Sequence, residues 1–152
     1  MVAPLLAGLL TCAVMLGAAM PGARADSAPH EPPPGSELRA DLLDALRPIL
    51  EWRFGAPVEI VVQRLQVAGD LAFASVRAQR PGGGRIDLRD TPIVLRDGYA
   101  AQFLDGPTLQ ALLQRSGRMW VAVRHEVGAT EMWFVDPAYC PVWGALIGDV
   151  CR

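Results

Sequence analysis

The hydrophobic period of this chain changes from helical to strand-like partway along, and that change limits its possible folds more than any other feature. Leu38, Leu42, Leu43, Leu46, Ile49 and Leu50 recur at steps of three and four, the spacing of one helical face. Beyond Gly55 and Pro57 the step falls to two, the spacing of one face of a strand. A chain that offers one apolar helical stripe followed by strand faces must bury them against each other. The predicted class is therefore α+β, with an N-terminal amphipathic helix packed on a four-stranded antiparallel sheet made of two hairpins.

Local signals set the expected boundaries. Ser36 is a predicted N-cap and Glu37 suits the first turn, where a negative charge meets the positive end of the helix dipole. Asp41, Asp44, Arg47 and Glu51 form the polar face, while Pro48, lacking an N–H, predicts a bend or a break. Val58, Ile60 and Val62 then share a strand face, and the slip of one residue to Leu65 and Val67 predicts a bulge. Gly69-Asp70 makes the first hairpin turn, and Leu71, Phe73 and Ser75 alternate with Ala72, Ala74 and Val76 on the return. In the second hairpin Leu109, Ala111 and Leu113 alternate with Gln110 and Gln114, and Ser116-Gly117 is the expected turn. Strict alternation then puts Met119, Val121, Val123, His125 and Val127 on one face and Trp120, Ala122, Arg124 and Glu126 on the other. On that register Leu42, Leu46, Ile49, Val121 and Val123 share one core. Residues 85–106 carry no period, and Arg85, Asp87, Arg89, Asp90, Arg96 and Asp97 alternate there in sign. The short C-terminal tail is aromatic, with Trp133, Phe134, Tyr139 and Trp143, and is expected to fold back as short helical pieces.

The first 25 residues read as a signal peptide. No charge interrupts Val2 to Met20, and Ala23-Arg24-Ala25 places small residues where a signal peptidase reads. Nineteen uncharged residues nearly match the ~20 needed to span a bilayer, but Pro4, Gly8, Gly17 and Pro21 weaken a permanent helix. Lipidation at Cys12 is disfavoured by the Thr11 before it and the apolar run behind it. Residues 26–35 form a Pro-rich spacer, expected to be extended and mobile with His30 solvated, and 36–152 form a single α+β domain. The exported chain is periplasmic or secreted, with no stable membrane span after cleavage. It keeps Cys140 and Cys151, an even pair in an oxidising compartment, so a disulfide is favoured over two separate thiols.

Chemistry is sparse. Fourteen arginines and no lysine face 16 acidic residues, for a net charge of -2, so the basic footprint of a nucleic-acid binder is missing. His125 is the one histidine of the folded region, which excludes a multi-histidine metal site and leaves a single pocket candidate for base work near neutral pH. On an apolar strand face it is more simply a half-buried packing residue. Ser75 is mid-strand and Ser116 is in a hairpin turn, neither of them a nucleophile elbow. A cysteine nucleophile would forfeit the disulfide. Asp87, Asp90 and Asp97 alternate with arginines as surface ion pairs do. Pro81-Gly82-Gly83-Gly84 lacks the lysine and helix start of a phosphate loop and reads as a turn. No catalytic, cofactor-binding or metal-binding set emerges, and no cofactor is expected.

The order of elements over residues 36 to 135 is similar to the cystatin-like architecture, shared with the nuclear-transport-factor-like and ketosteroid-isomerase-like superfamily. The runs Leu42-Leu43-Asp44-Ala45-Leu46-Arg47-Pro48, Gly69-Asp70-Leu71-Ala72-Phe73 and Val127-Gly128-Ala129-Thr130-Glu131-Met132-Trp133 resemble those of uncharacterised exported proteobacterial proteins. That resemblance implies fold and location, since fold alone does not license a function. Ketosteroid-isomerase-like enzymes set an acid and a tyrosine in the mouth of a concave sheet, but Asp97 and Tyr99 fall in the unperiodic loop. Gln66-Val67-Ala68-Gly69 is one residue short of the cystatin inhibitor pattern Gln-x-Val-x-Gly, and the second hairpin turn has no Pro-Trp pair. The expected function is a small exported, non-catalytic binding or interaction domain of the bacterial envelope, its partner an unknown protein or small molecule. The alternative is a small pocket enzyme of the ketosteroid-isomerase-like superfamily with His125 or a loop carboxylate as base. A polar cavity beneath the helix would favour the enzyme, and a filled core would favour the binding domain. Export itself is checked by N-terminal sequencing of the secreted protein, which should begin at Asp26; an intact N-terminus in the membrane fraction would contradict it.

Overall fold

The computed structural model describes residues 28–151, so the expected signal peptide at 1–25 lies outside the described residues. Helix α1 spans Glu37–Phe54, with the Ser36 hydroxyl accepting the Arg39 N–H at 3.3 Å as its N-cap. At its other end Gly55 takes φ 81°, a conformation that L side chains rarely adopt, and its N–H still reaches the Glu51 carbonyl at 2.8 Å. The expected break at Pro48 does not occur, and α1 runs through it as one helix. Pro48 lies on the exposed face beside Asp44, where water can serve the Asp44 carbonyl that loses its helical donor.

Strands β1 (Glu59–Ala68), β2 (Leu71–Gln79), β3 (Thr108–Ser116) and β4 (Met119–Val127) form one antiparallel sheet in chain order. Ala72, Ala74 and Ala78 of β2 and Ala111 of β3 line the face beneath α1. These small side chains let the helix approach closely, and Leu42, Leu46, Leu50 and Phe54 fill the interface without solvent exposure. Phe54 continues the stripe one turn past Leu50, a position the sequence reading left out. Each fully buried side chain of this size contributes about 1.5–3 kcal/mol.

Both edge strands carry a register slip. In β1 it falls between Val62 and Arg64, as the shift from Val62 to Leu65 predicts, and Val58, Ile60, Val62, Leu65 and Val67 all face α1. In β4 the slip is a correction. Leu113 pairs with Ala122 but Leu112 pairs with Arg124, so Val123 is the extra residue. A one-residue slip exchanges the two faces of a strand. Trp120 and Ala122 therefore face the helix together with His125 and Val127, while Val121 and Val123 are exposed and do not join the Leu42 and Leu46 core. Ser116 pairs with Met119, which moves the second hairpin turn to Gly117-Arg118. The first turn is Gly69-Asp70, as expected.

Leu71 and Phe73 of β2 and Leu112 of β3 point to the opposite face, where Phe134, Leu146 and Ile147 cover them. The central strands are thus buried on both sides, and their alternation is blurred for that reason. The covering layer is the tail, with 3₁₀ turns at Trp133–Val135 and Pro137–Tyr139 and helix α3 at Cys140–Ile147. Its rings meet in a chain: Phe73 to Phe134 at 4.7 Å, Trp133 to Phe134 at 5.9 Å, Trp133 to Tyr139 at 5.7 Å and Tyr139 to Trp143 at 6.4 Å. Cys140 and Cys151 form a disulfide across α3. Arg64 donates to the Leu146 carbonyl at 2.7 Å, near the negative end of α3.

The lead-in is extended, yet it is not free. His30 exchanges two backbone hydrogen bonds with Val67, of 3.0 and 2.9 Å, while its side chain stays exposed. Pro32 is buried, and Arg39 ties the segment to α1 through the Pro32 carbonyl at 2.8 Å and Glu31 at 3.0 Å. Among the described residues no helix is long and apolar enough to cross a membrane.

The two valine and leucine environments give opposite expectations. Leu46→Ala should cost about 2–5 kcal/mol by leaving a cavity in the helix–sheet core, whereas Val121→Ala should stay within about 0.5 kcal/mol. Urea unfolding of both variants checks the assignment of β4 faces.

Candidate functional site

The connection from β2 to β3, residues 80–107, is ordered by a few buried anchors. Arg80 at the end of β2 turns its guanidinium onto the C-terminal end of α1. It donates to the Phe54 carbonyl at 2.7 Å, to the Pro57 carbonyl at 3.0 Å and to the Gly55 carbonyl. One cation thus serves the last carbonyl of the helix, at the negative end of its dipole, together with two carbonyls of the turn that follows. Asp87 accepts the Arg89 N–H at 3.0 Å and starts a 3₁₀ turn at Leu88–Asp90. Thr91 is buried with its hydroxyl on the Leu88 carbonyl, Pro92 opens the one-turn helix α2 (Pro92–Leu95), and Ile93 plugs into the core. This stretch read as unperiodic because single residues anchor it, so no repeat exists to find.

On that base sits an exposed cluster. Arg96 stacks on the Trp52 ring at 3.8 Å and donates to the Trp52 carbonyl at 3.1 Å. Asp97 accepts from Arg96 at 2.6 Å and from Arg53 at 2.8 Å, which joins the loop to the last turn of α1. The Arg96 hydrogen bond, with help from Arg53, holds the Asp97 carboxyl below its ordinary value, while Asp97 raises Arg96. Around these charges Trp52, Leu95, Tyr99 and Phe103 are exposed. Beside them lies an open groove of about 540 Å³ lined by Arg85, Ile86, Asp87, Leu88, Arg89, Ala101 and Gln102. The Arg85 and Arg89 side chains make no hydrogen bond or ion pair among the described residues. An arrangement of free guanidiniums, a stacked indole and protruding apolar side chains suits contact with another molecule's surface.

The sequence-predicted site residues are not brought together. His125 faces α1, opposite Ala111, and its ring makes no hydrogen bond among the described residues. Asp97 is committed to two arginines, which leaves it a poor base. Asp87 caps a turn, and Asp90 is exposed. Tyr99 is half exposed on the loop. In the glycine turn Arg80 pairs with Gly84, and the Gly82 N–H binds the chain's own Glu59 carboxylate at 3.1 Å. The hydrogen bond from Gln79, helped by that from Gly82, holds the Glu59 carboxyl below its ordinary value. Val67 and Ala68 are buried in the strand pairing, so Gln66-Val67-Ala68-Gly69 does not project as an inhibitory loop. Among the described residues no group of three or more His, Cys, Asp or Glu side chains is placed to hold a metal ion. The loop surface left no readable sequence signal beyond its alternating charges.

Burial pushes the His125 imidazole below its ordinary value of 6.5, with Arg53 and Arg124 adding to the shift and Glu126 opposing it. The unfolded chain then takes up this proton before the folded one does. Stability from His125 is complete above about 6.5 and declines as pH falls from there toward the lower folded value. His125→Gln should therefore flatten the fall of the thermal midpoint between pH 7 and pH 5. Parallel curves for the two proteins would contradict this.

The chain matches no protein-family model, no curated protein and no solved structure.

Proposed function

We propose that this is a small exported binding domain of the bacterial envelope that contacts a partner through the surface built by residues 80–107 and the end of α1. The observation that carries this reading is the filled interface beneath α1. Leu42, Leu46, Leu50 and Phe54 meet Ala72, Ala74, Ala111 and Leu113 there with no exposure, which leaves no room for a substrate where a cystatin-like pocket enzyme would hold one. The same order of elements, a helix and then a four-stranded meander, supports a cystatin-like description of the fold. Export is supported by the uncharged run from Val2 to Met20, the Ala23-Arg24-Ala25 site and the paired cysteines. The partner is a protein or another molecule with an acidic or aromatic face, since Arg85, Arg89 and the Arg96–Trp52 stack are what the surface offers.

A photo-crosslinking residue at Phe103, introduced in producing cells, should give a discrete adduct, whereas one at Val61 on β1 should not. His125→Gln should leave the Phe103 adduct unchanged. Equal labelling at both positions, or none at Phe103, would overturn the surface reading, and loss of the adduct with His125→Gln would restore the pocket.

A further inference from the structure

The two edges of the sheet are treated differently. Strand β1 follows Pro57, slips register at Gln63, and is bridged at its far end by His30 through two backbone hydrogen bonds. These are the devices by which proteins keep an edge from pairing with another chain. Strand β4 shares the register slip, at Val123, but its nine residues include neither proline nor lysine, and among the described residues no segment bridges to its outer edge. Among the described residues its backbone hydrogen bonds go to β3 alone. Helix α3 lies over β1 and β2, and on β4 Met119, Val121 and Val123 are left 69%, 41% and 48% exposed.

The sequence of β4 is also complementary to itself. In an antiparallel pairing of two copies about a two-fold axis at His125, Arg124 of each copy opposes Glu126 of the other. His125 meets its own copy, so no two permanent like charges face each other over residues 124–126, which lie beyond the slip at Val123. Within one chain Arg124 and Glu126 already meet at 2.7 Å on the exposed surface, which shows that both side chains lie on one face and reach along the strand. Strand addition would satisfy the open backbone groups, and the side-chain pairs would fix the register.

We propose that β4 is the interface between two copies of this chain, joined antiparallel about His125 into one continuous eight-stranded sheet. The interface is isologous and closes as a dimer, not a fibre. Sedimentation velocity of the purified protein over a range of concentrations should show a monomer–dimer equilibrium. Arg124→Glu sets Glu against Glu126 of the second copy, and Glu126→Arg sets Arg against Arg124. Each single reversal should weaken self-association by about tenfold or more. The double reversal should restore it, with circular dichroism unchanged throughout because both side chains are on the surface. A protein that stays monomeric at every concentration would overturn the proposal. So would larger open assemblies, or a dimer indifferent to the single reversals.

Discussion

The approach of α1 to an alanine-lined sheet is the contact on which the other layers rest. Ala72, Ala74 and Ala111 set the distance, and Leu42, Leu46, Leu50 and Phe54 occupy what that distance leaves. A larger side chain at any of those alanines would lift the helix and open every leucine contact at once, since close-packed interiors transmit strain. The helix position in turn fixes where its C-terminal carbonyls lie, and Arg80 and Arg96 reach those carbonyls from the loop. The exposed cluster is therefore positioned by the core, although none of its charged groups belongs to the core.

Arginine carries out this joining throughout. The chain has no lysine, and forked guanidiniums end both α1 and α3 while bridging to a strand or loop. A planar fork can serve two carbonyls in a fixed geometry, which an ammonium on a flexible stem does less well. Arg80 shows the result, reaching three carbonyls from one side chain.

The helix stripe, the bulge in β1 and the first hairpin turn were legible because each depends on a local pattern. The faces of β4 were legible at His125 and Val127 alone. Met119, Val121, Val123, His125 and Val127 alternate without a break, and nothing in their chemistry marks Val123 as the residue that steps out of register. The slip is imposed by pairing with β3, so it is a tertiary fact. His125 and Val127 stand on the helix side as the alternation expects, and the slip removes Val121 and Val123 from it. The anchors of residues 80–107 were hidden for a different reason. Thr91 and Ile93 are two buried residues in a polar stretch, and two residues make no period. Of the site candidates, Asp97 and Arg96 were visible as alternating charges, but their joint hold on α1 needed coordinates.

The His30 bridge determines where the chain enters the folded body. It enters along the outer edge of β1, at the Val67 end beside the first hairpin turn. The outer edge of β4 lies across the whole sheet, three strand spacings or about 14 Å away. A molecule held by anything attached ahead of residue 28 is therefore gripped on its closed side. Its open strand faces away from the attachment point, and tethering does not compete with whatever pairs there.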